Sequence, residues 1–218
     1  MRRIEAEELL DEHDAPVDDV RRSLRDLRRI NAYLGGTRAF RRLVARLVPP
    51  DRTCDVLDLG TGTSDLLEAL PNARRYGLDF KIGHLLYGRA LARLHVHRIA
   101  GDAFHLPFRD ASFDVVTSSH FFHHFAPEEN AAILRDALRV ARVGVAVTDT
   151  RRHFAPLAFV RLLGLTPLVG RITRYDAPAS VMQGYTLDET RAIAARAGGR
   201  DRRVFRMMPF RFGLLLWK

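Results

Sequence analysis

The segment Val56-Leu57-Asp58-Leu59-Gly60-Thr61-Gly62-Thr63-Ser64-Asp65 limits the fold more than any other part of this chain. An apolar run rich in strand formers enters a glycine-spaced turn, and a helical pattern (Leu66, Leu67, Ala69, Leu70) follows directly. A strand feeding so tight a turn brings backbone N–H groups and a helix N-terminus up to a ligand. The third glycine of the dinucleotide fingerprint is missing, and Ser64-Asp65 stands in its place. Ser64 is small enough for the turn, and Asp65 reads as an acid favoured by the dipole at the start of the next helix.

Beyond this turn the chain alternates. Strands are expected at 55–59, 75–79, 96–100, 113–118 and 143–149, with helices at 65–70, 82–94, 127–140 and 187–197. Such alternation predicts a parallel sheet covered on both faces. Residues 203–205 and 210–217 read as two last strands. Before the first strand, apolar residues at helical spacing predict a helix over 20–34. Gly35-Gly36 interrupts it, and Thr37 caps a second helix over 38–48 that Pro49-Pro50 closes. These two helices are expected to form a cap, residues 1–50, over a core spanning 51–218. A stretch rich in Leu, Phe and Pro within 151–185 reads as a lid, with Phe154, Leu157, Phe159, Leu162, Leu163, Leu165, Leu168 and Val169 as an apolar wall.

Composition narrows the class. The 218 residues are 47% hydrophobic and 28% charged, as in ordinary soluble domains. No apolar run approaches the roughly 18 residues that span a bilayer, and the acidic, polar residues 1–19 are unlike a secretory leader. Cys54 is the sole cysteine, which excludes an internal disulfide and a multi-cysteine zinc site. A cytoplasmic protein is expected. The net charge of +9 is carried almost wholly by arginine and is scattered along the chain. Nucleic-acid binding would call for a coherent patch with stacking aromatics, so a small-molecule partner is expected instead, and a homodimer is left open.

Four motifs in order and spacing carry a family resemblance: Val56–Asp65, Tyr76-Gly77-Leu78-Asp79, Gly101-Asp102-Ala103 with Leu106-Pro107-Phe108, and Ser112-Phe113-Asp114-Val115-Val116. From about residue 51 to the C-terminus the chain resembles the class I S-adenosylmethionine-dependent methyltransferases. The resemblance implies a Rossmann-like, doubly wound seven-stranded sheet, mostly parallel, with a reversed last strand. It implies S-adenosyl-L-methionine as cofactor. An acid about 20 residues past the glycine turn, here Asp79, is suited to hold the ribose hydroxyls. Nicotinamide enzymes share that device, but the family's acid at Asp102, with Ala103 beside it, reaches the adenine amino group. Phe80 would lie against the adenine face. Gly60, Thr61 and Gly62 would let the backbone approach the methionine arm, with Ser119 nearby, and Asp58 would orient the turn or the cofactor's ammonium.

The chemistry is expected after the fourth strand, in Ser118-Ser119-His120-Phe121-Phe122-His123-His124-Phe125. Methyl transfer is an in-line displacement in which the enzyme supplies alignment and excludes water. A hydroxyl nucleophile also gains from a base that titrates near neutrality, which describes histidine. His120 is the first candidate for that base and His123 the second, with His124 as a substrate contact. No carboxylate at fixed spacing completes a metal site, so none is expected. Arg152, Arg174 and Asp176 are candidate polar contacts to the acceptor.

Asp149–Arg152, residues 174–181 and 185–186, and Asp26-Leu27-Arg28-Arg29-Ile30-Asn31 with Leu34-Gly35-Gly36 resemble a subgroup associated with polyketide or quinone biosynthesis. That points to a hydrophobic or phenolic acceptor, O-methylation and natural product biosynthesis. Met182-Gln183 replace basic residues expected there, which puts the acceptor's identity in doubt. The alternatives are an RNA or protein methyltransferase and a cofactor-binding subunit without transfer activity. Against the RNA alternative, the Asn/Asp-Pro-Pro-Tyr/Phe signature for exocyclic amines is absent.

Overall fold

The computed structural model describes residues 1–12 and 15–218. Among these residues seven strands form one sheet: β1 (Cys54–Leu59), β2 (Ala73–Asp79), β3 (His97–Ala100), β4 (Phe113–Ser119), β5 (Ala141–Thr150), β6 (Asp201–Met207) and β7 (Arg211–Trp217). Their order is β3-β2-β1-β4-β5-β7-β6. β1 to β5 pair in parallel, while β7 runs antiparallel to both β5 and β6. The seven-stranded, mostly parallel sheet with one reversed strand is as expected. Every residue of β1 is buried, as a strand covered on both faces requires. The chain leaves β1 toward β2 on one side, and β4 lies on the other, so the strand order reverses between them. A crevice opens there at the carboxyl ends of the strands.

Among the described residues seven α-helices complete the fold: α1 (Val17–Tyr33), α2 (Gly36–Val44), α3 (Ile82–Leu91), α4 (Pro127–Val140), α5 (Phe154–Gly164), α6 (Arg171–Gln183) and α7 (Leu187–Ala197). α4 and α7 have the bounds the sequence predicts. α4 starts with proline in its first turn and Glu129 closing back onto the Ala126 N–H. α7 begins with a Thr186–Glu189 capping box.

Three expectations need correction. First, α2 is not part of a cap. Phe40 and Val44 pack with Val56 and Val115, and Leu43 packs with Ala146 and Leu215, so α2 covers the sheet itself. Its N-cap is Gly35 in the left-handed region rather than Thr37. Second, the helix expected over 65–70 shrinks to a single 3-10 turn, Leu67–Ala69. Asp65 does not serve a helix dipole: its carboxylate accepts from Asn31 Nδ2 (3.1 Å) and Thr63 Oγ1 (2.8 Å), tying the glycine turn to α1. Third, much of the expected lid wall faces outward. Phe154, Leu162, Leu165 and Leu168 are exposed, while Pro156, Val160 and the partly exposed Phe159 of α5 line a cavity.

α1, α5 and α6 pack together and roof the carboxyl edge of the sheet. Asp26 of α1, almost fully buried, pins this roof by accepting from the Gly170 N–H (2.7 Å) and the Thr173 hydroxyl (3.1 Å). Among the described residues no helix is long and apolar enough to cross a membrane.

The β5–β7 contact is close-packed at Gly144, where an added Cβ would sit 2.2 Å from the Leu216 carbonyl oxygen. Gly144→Ala is expected to cost about 1–3 kcal/mol of stability, read as a lower urea midpoint with an unchanged slope.

Candidate functional site

The glycine turn after β1 is left-handed at Gly60 (φ +64), Gly62 (φ +54) and also Ser64 (φ +61). For a serine that backbone costs on the order of 1–2 kcal/mol. Ser64 is buried against Gly77, whose missing Cβ would lie 3.0 Å from the Ser64 hydroxyl, so a side chain at 77 would crowd it. Gly60 is covered by the Phe121 ring, which an added Cβ would meet at 2.2 Å, while a Cβ on Gly62 would enter open space. That space is a cavity of about 510 Å³. Gly60, Gly62, Asp79, Phe80, Asp102 and Ala103 all stand on its wall.

Asp79 accepts from the Gly62 N–H (2.7 Å) with one oxygen and the Lys81 N–H (2.8 Å) with the other. Each oxygen keeps a second lone pair for a ligand hydroxyl. Asp102 accepts from the Phe104 N–H (2.9 Å), which with His105 keeps its carboxyl below the usual range. Phe80 leaves 75% of its surface exposed, a free ring face beside Asp102.

Asp58, Thr61 and Ser119 are buried behind this wall. Asp58 accepts from the Thr117 hydroxyl at 2.8 Å, and burial pushes its carboxyl up to about 7. It supports the turn from beneath. Thr61 donates its N–H to the Leu78 carbonyl, stitching the turn to β2.

The N-terminal segment crosses this cavity as a strap. Glu8, Leu10 and Asp11 join its wall. Lys81 Nζ holds the strap at Asp11 Oδ1 (3.1 Å) and at the Leu10 carbonyl (3.1 Å). Asp176 of α6 accepts from the Leu9 and Leu10 N–H groups at 2.8 and 3.0 Å, and burial raises its carboxyl to about 6. Arg3 donates to the carbonyls of Gln183, His123 and Phe125.

The three histidines part company. His123 is buried with Nδ1 2.9 Å from Asp149 Oδ1 and Nε2 3.3 Å from Glu8 Oε1. Burial alone would lower its pKa, but the two carboxylates override that and raise it to about 10. An imidazolium held charged up to about pH 10 between two carboxylates is placed as an ionic joint rather than as the second candidate base. Glu8 is held down to about 2 and Asp149 lower still, in both cases because His123 outweighs the burial that opposes their charge. His124 reaches the cavity wall, 3.3 Å from Asp11 Oδ2. Glu8, His123 and His124 place ligand-type atoms within 4.8 Å of one another. Asp149 and Glu8 flank the charged His123 on its two ring nitrogens, so the cluster is already built around an internal cation.

His120 differs. It sits in the left-handed region (φ +52), with Nδ1 3.4 Å from the Thr150 hydroxyl and 3.8 Å from Asp149, and with Nε2 lacking any partner. Burial, reinforced by Arg211, lowers its pKa to about 3 and keeps the ring neutral. His120 stands on the wall of the first cavity and also of a second, of about 230 Å³, under the roof. That second cavity is walled by Leu27 and Ile30 of α1, Phe159 and Val160 of α5, Val181 of α6, and Phe210.

Of the residues expected to touch an acceptor, three serve elsewhere. Arg152 is buried and donates to the carbonyls of Met1 and Gly184 and to Glu189 (2.6 Å). Arg174 donates to the Thr166 carbonyl at the surface. Asp176 clamps the strap, as above. Conversely, Glu8, Asp11, Lys81 and Arg211 border the cavities without having been singled out. The strap has no periodicity to betray it. Arg211 left one signal: a lone arginine inside the run Phe210–Trp217, whose neighbours are otherwise apolar or glycine.

The methyltransferase domain family matches residues 56–144. The chain is 34% identical over 185 residues to a demethylmenaquinone methyltransferase of Roseiflexus castenholzii (strain DSM 13941 / HLO8), covering 77% of each protein. With the protein of the same name from Mycobacterium sp. (strain KMS) it shares 33% over 182 residues, 79% of this chain and 75% of that one. Human N-acetylserotonin methyltransferase, crystallised with S-adenosylmethionine, superposes with a TM-score of 0.71 at 15% identity over 99% of this chain and 60% of its own. The plantazolicin methyltransferase BpumL, crystallised with a desmethyl substrate analogue and S-adenosylhomocysteine, gives 0.61 at 15% identity, covering 91% and 96%. At these identities the solved structures speak for the fold.

The ionic joint makes stability depend on pH with a definite sign. Because the folded pKa of His123 lies above its ordinary 6.5, its contribution is complete below 6.5 and is lost as pH rises through about 10. Asp149 and Glu8, both depressed, contribute above the ordinary carboxylate range and lose that contribution in acid. His123→Gln is expected to lose about 3 kcal/mol at neutral pH, with the gap to wild type closing as pH passes about 10. Unfolding curves across that range check it; a constant gap would mean an uncharged ring.

Proposed function

The chain belongs to the class I S-adenosylmethionine-dependent methyltransferases, and from that premise we propose that it methylates a ring hydroxyl of a small quinol- or phenol-type acceptor. The first cavity suits the cofactor by the chemistry of its wall. Asp79 offers free lone pairs for ribose hydroxyls, Phe80 an open ring face for adenine, Asp102 an acceptor for an exocyclic amine, and Gly62 room for the methionine arm. When bound, the cofactor supplies a methyl group made electrophilic by its sulfonium.

The observation that carries the proposal is His120, an uncharged base on the wall shared by that cavity and the apolar one under the roof. Its Nε2 is buried with no hydrogen-bond partner, which leaves an unused acceptor on that ring. The acceptor's O–H bond breaks with its proton passing to Nε2. The freed oxygen lone pair would then face the sulfonium methyl that a bound S-adenosylmethionine would supply, its S–CH₃ electron pair staying with sulfur. A ring with so low a pKa is a weak base in the resting site. The basicity recovers as an oxyanion forms beside it, because that anion offsets the field of Arg211, and Asp149 at 3.8 Å steadies the imidazolium. Thr150 at Nδ1 fixes the ring orientation.

A second reading, transfer to the ring carbon beside the hydroxyl, is favoured by the demethylmenaquinone methyltransferases among the relatives. A phenolate shares its charge with that carbon, so the same base serves both. Methyl-labelled cofactor with a panel of naphthoquinols and phenols separates them by the methyl carbon shift of the product. Transfer to RNA but to no ring acceptor would overturn the proposal.

Two variants test the roles. Asp79→Asn should weaken S-adenosylmethionine binding roughly 10-fold or more by calorimetry. His120→Asn, chosen because asparagine tolerates left-handed backbone, should lower turnover at least about 100-fold with cofactor affinity intact. Undiminished turnover removes His120 from the chemistry.

A further inference from the structure

Arg211 opens β7 opposite Thr150 of β5 and is only 4% exposed. Its guanidinium has no hydrogen bond and no ion pair within 4 Å among the described residues, and Nη1 is buried without a partner. Asp149 lies near enough to stabilise its charge but is occupied by His123. A buried, unsatisfied cation is among the costliest features a fold can carry. The chain nevertheless makes room for it. A Cβ on Gly36 would lie 2.9 Å from Arg211 Nη2, so any side chain there would crowd the guanidinium.

The position explains the cost. Arg211 lines the cavity under the roof, whose wall is otherwise mostly apolar, and His120 and Thr150 line it too. The cavity therefore has a greasy body and one polar end, and that end holds a cation with unused donors. An apolar molecule alone would leave those donors unsatisfied. A molecule with an anionic oxygen would satisfy them with charge-assisted hydrogen bonds.

We propose that Arg211 and the cavity under the roof form an oxyanion-binding site, so that the acceptor is a compact apolar ring held through an ionised hydroxyl of phenolic or enolic type. The proposal rests on the methyltransferase reading for the word acceptor, but the anion site stands or falls on binding alone. Arg211 thereby selects acceptors whose hydroxyl ionises readily. It stabilises the charge that develops on oxygen as His120 takes the proton, and so favours the nucleophile over its conjugate acid. Aliphatic alcohols, which ionise poorly, should be rejected.

The probe is para-nitrophenol, whose bound phenolate is seen by its visible absorbance, with para-nitroanisole as its neutral counterpart. Both are titrated into the full-length protein with S-adenosylhomocysteine present. The wild type should bind the phenolate about 10-fold or more tightly than the anisole and lower the apparent pKa of the bound phenol. Arg211→Met, of similar length and uncharged, should lose that preference and the pKa shift while binding the anisole and S-adenosylhomocysteine as before. Arg211→Lys should recover part of the preference. A wild type that binds both probes equally, or an Arg211→Met variant that keeps the phenolate preference, overturns the proposal. Should Arg211→Met not fold, the wild-type selectivity and Arg211→Lys still decide. Arginine-dependent phenolate binding without methyl transfer to any ring acceptor would leave the anion site standing and remove the proposed activity instead.

Discussion

His123 carries its charge between Asp149 near the end of β5 and Glu8 in the N-terminal strap, and the organisation of the site depends on that contact. Three segments remote in sequence meet in it: the strap, the turn after β4, and the carboxyl end of β5. Each carboxylate would be costly to bury alone, and so would the imidazolium. Each carboxylate gains from the shared imidazolium, and the contact obliges the strap to lie across the mouth of the crevice, where Lys81 and Asp176 then hold it. A residue that sequence marks as a catalytic histidine thus works as a fastening.

The same joint separates the duties of its neighbours. Asp149 is committed to His123, so it lends His120 and Arg211 only a field, at 3.8 Å in the case of His120. His120 stays neutral while Arg211 stays charged, and the two stand side by side on the wall of the roofed cavity. The left-handed backbone at His120 is local strain held in place by surrounding structure, here its N–H donating to the Thr148 carbonyl at 3.2 Å. A neutral imidazole, a cation and the crevice are brought together by the junction of β4, β5 and β7.

Much of the scaffold was readable because its causes are local. The strand–turn motif at Val56–Asp65 predicted β1 and the crevice, and the alternation of elements placed a helix at 127–140, where α4 lies. The bounds of α4 and α7 follow from caps and periodicity. The helix after the glycine turn was misread because Asp65 found better partners in Asn31 and Thr63, a long-range choice that no local pattern records. α2 looked like a cap because it precedes the first strand, yet Phe40, Leu43 and Val44 found the open face of the sheet. The strap was invisible for a related reason. An extended segment has no period, and its acidic residues look like solvent-exposed ones until partners elsewhere in the chain neutralise them.

The sequence by itself determined the sheet class, the glycine turn, and the order of the acids Asp79 and Asp102, because each rests on neighbours along the chain or on a regular alternation of elements. Tertiary structure decided which ionisable groups act. His120 and His123 are three residues apart and chemically identical, yet one is discharged by burial beside Arg211 and the other is charged between two carboxylates. Arg152, Arg174 and Asp176 look equally suited to a ligand in sequence, but folding turned them to backbone carbonyls, Glu189 and the strap, and left Arg211 unpaired. The reason is physical. A backbone pattern is set within a few residues, whereas the state of a charge is set by whatever the fold brings within a few ångströms of it.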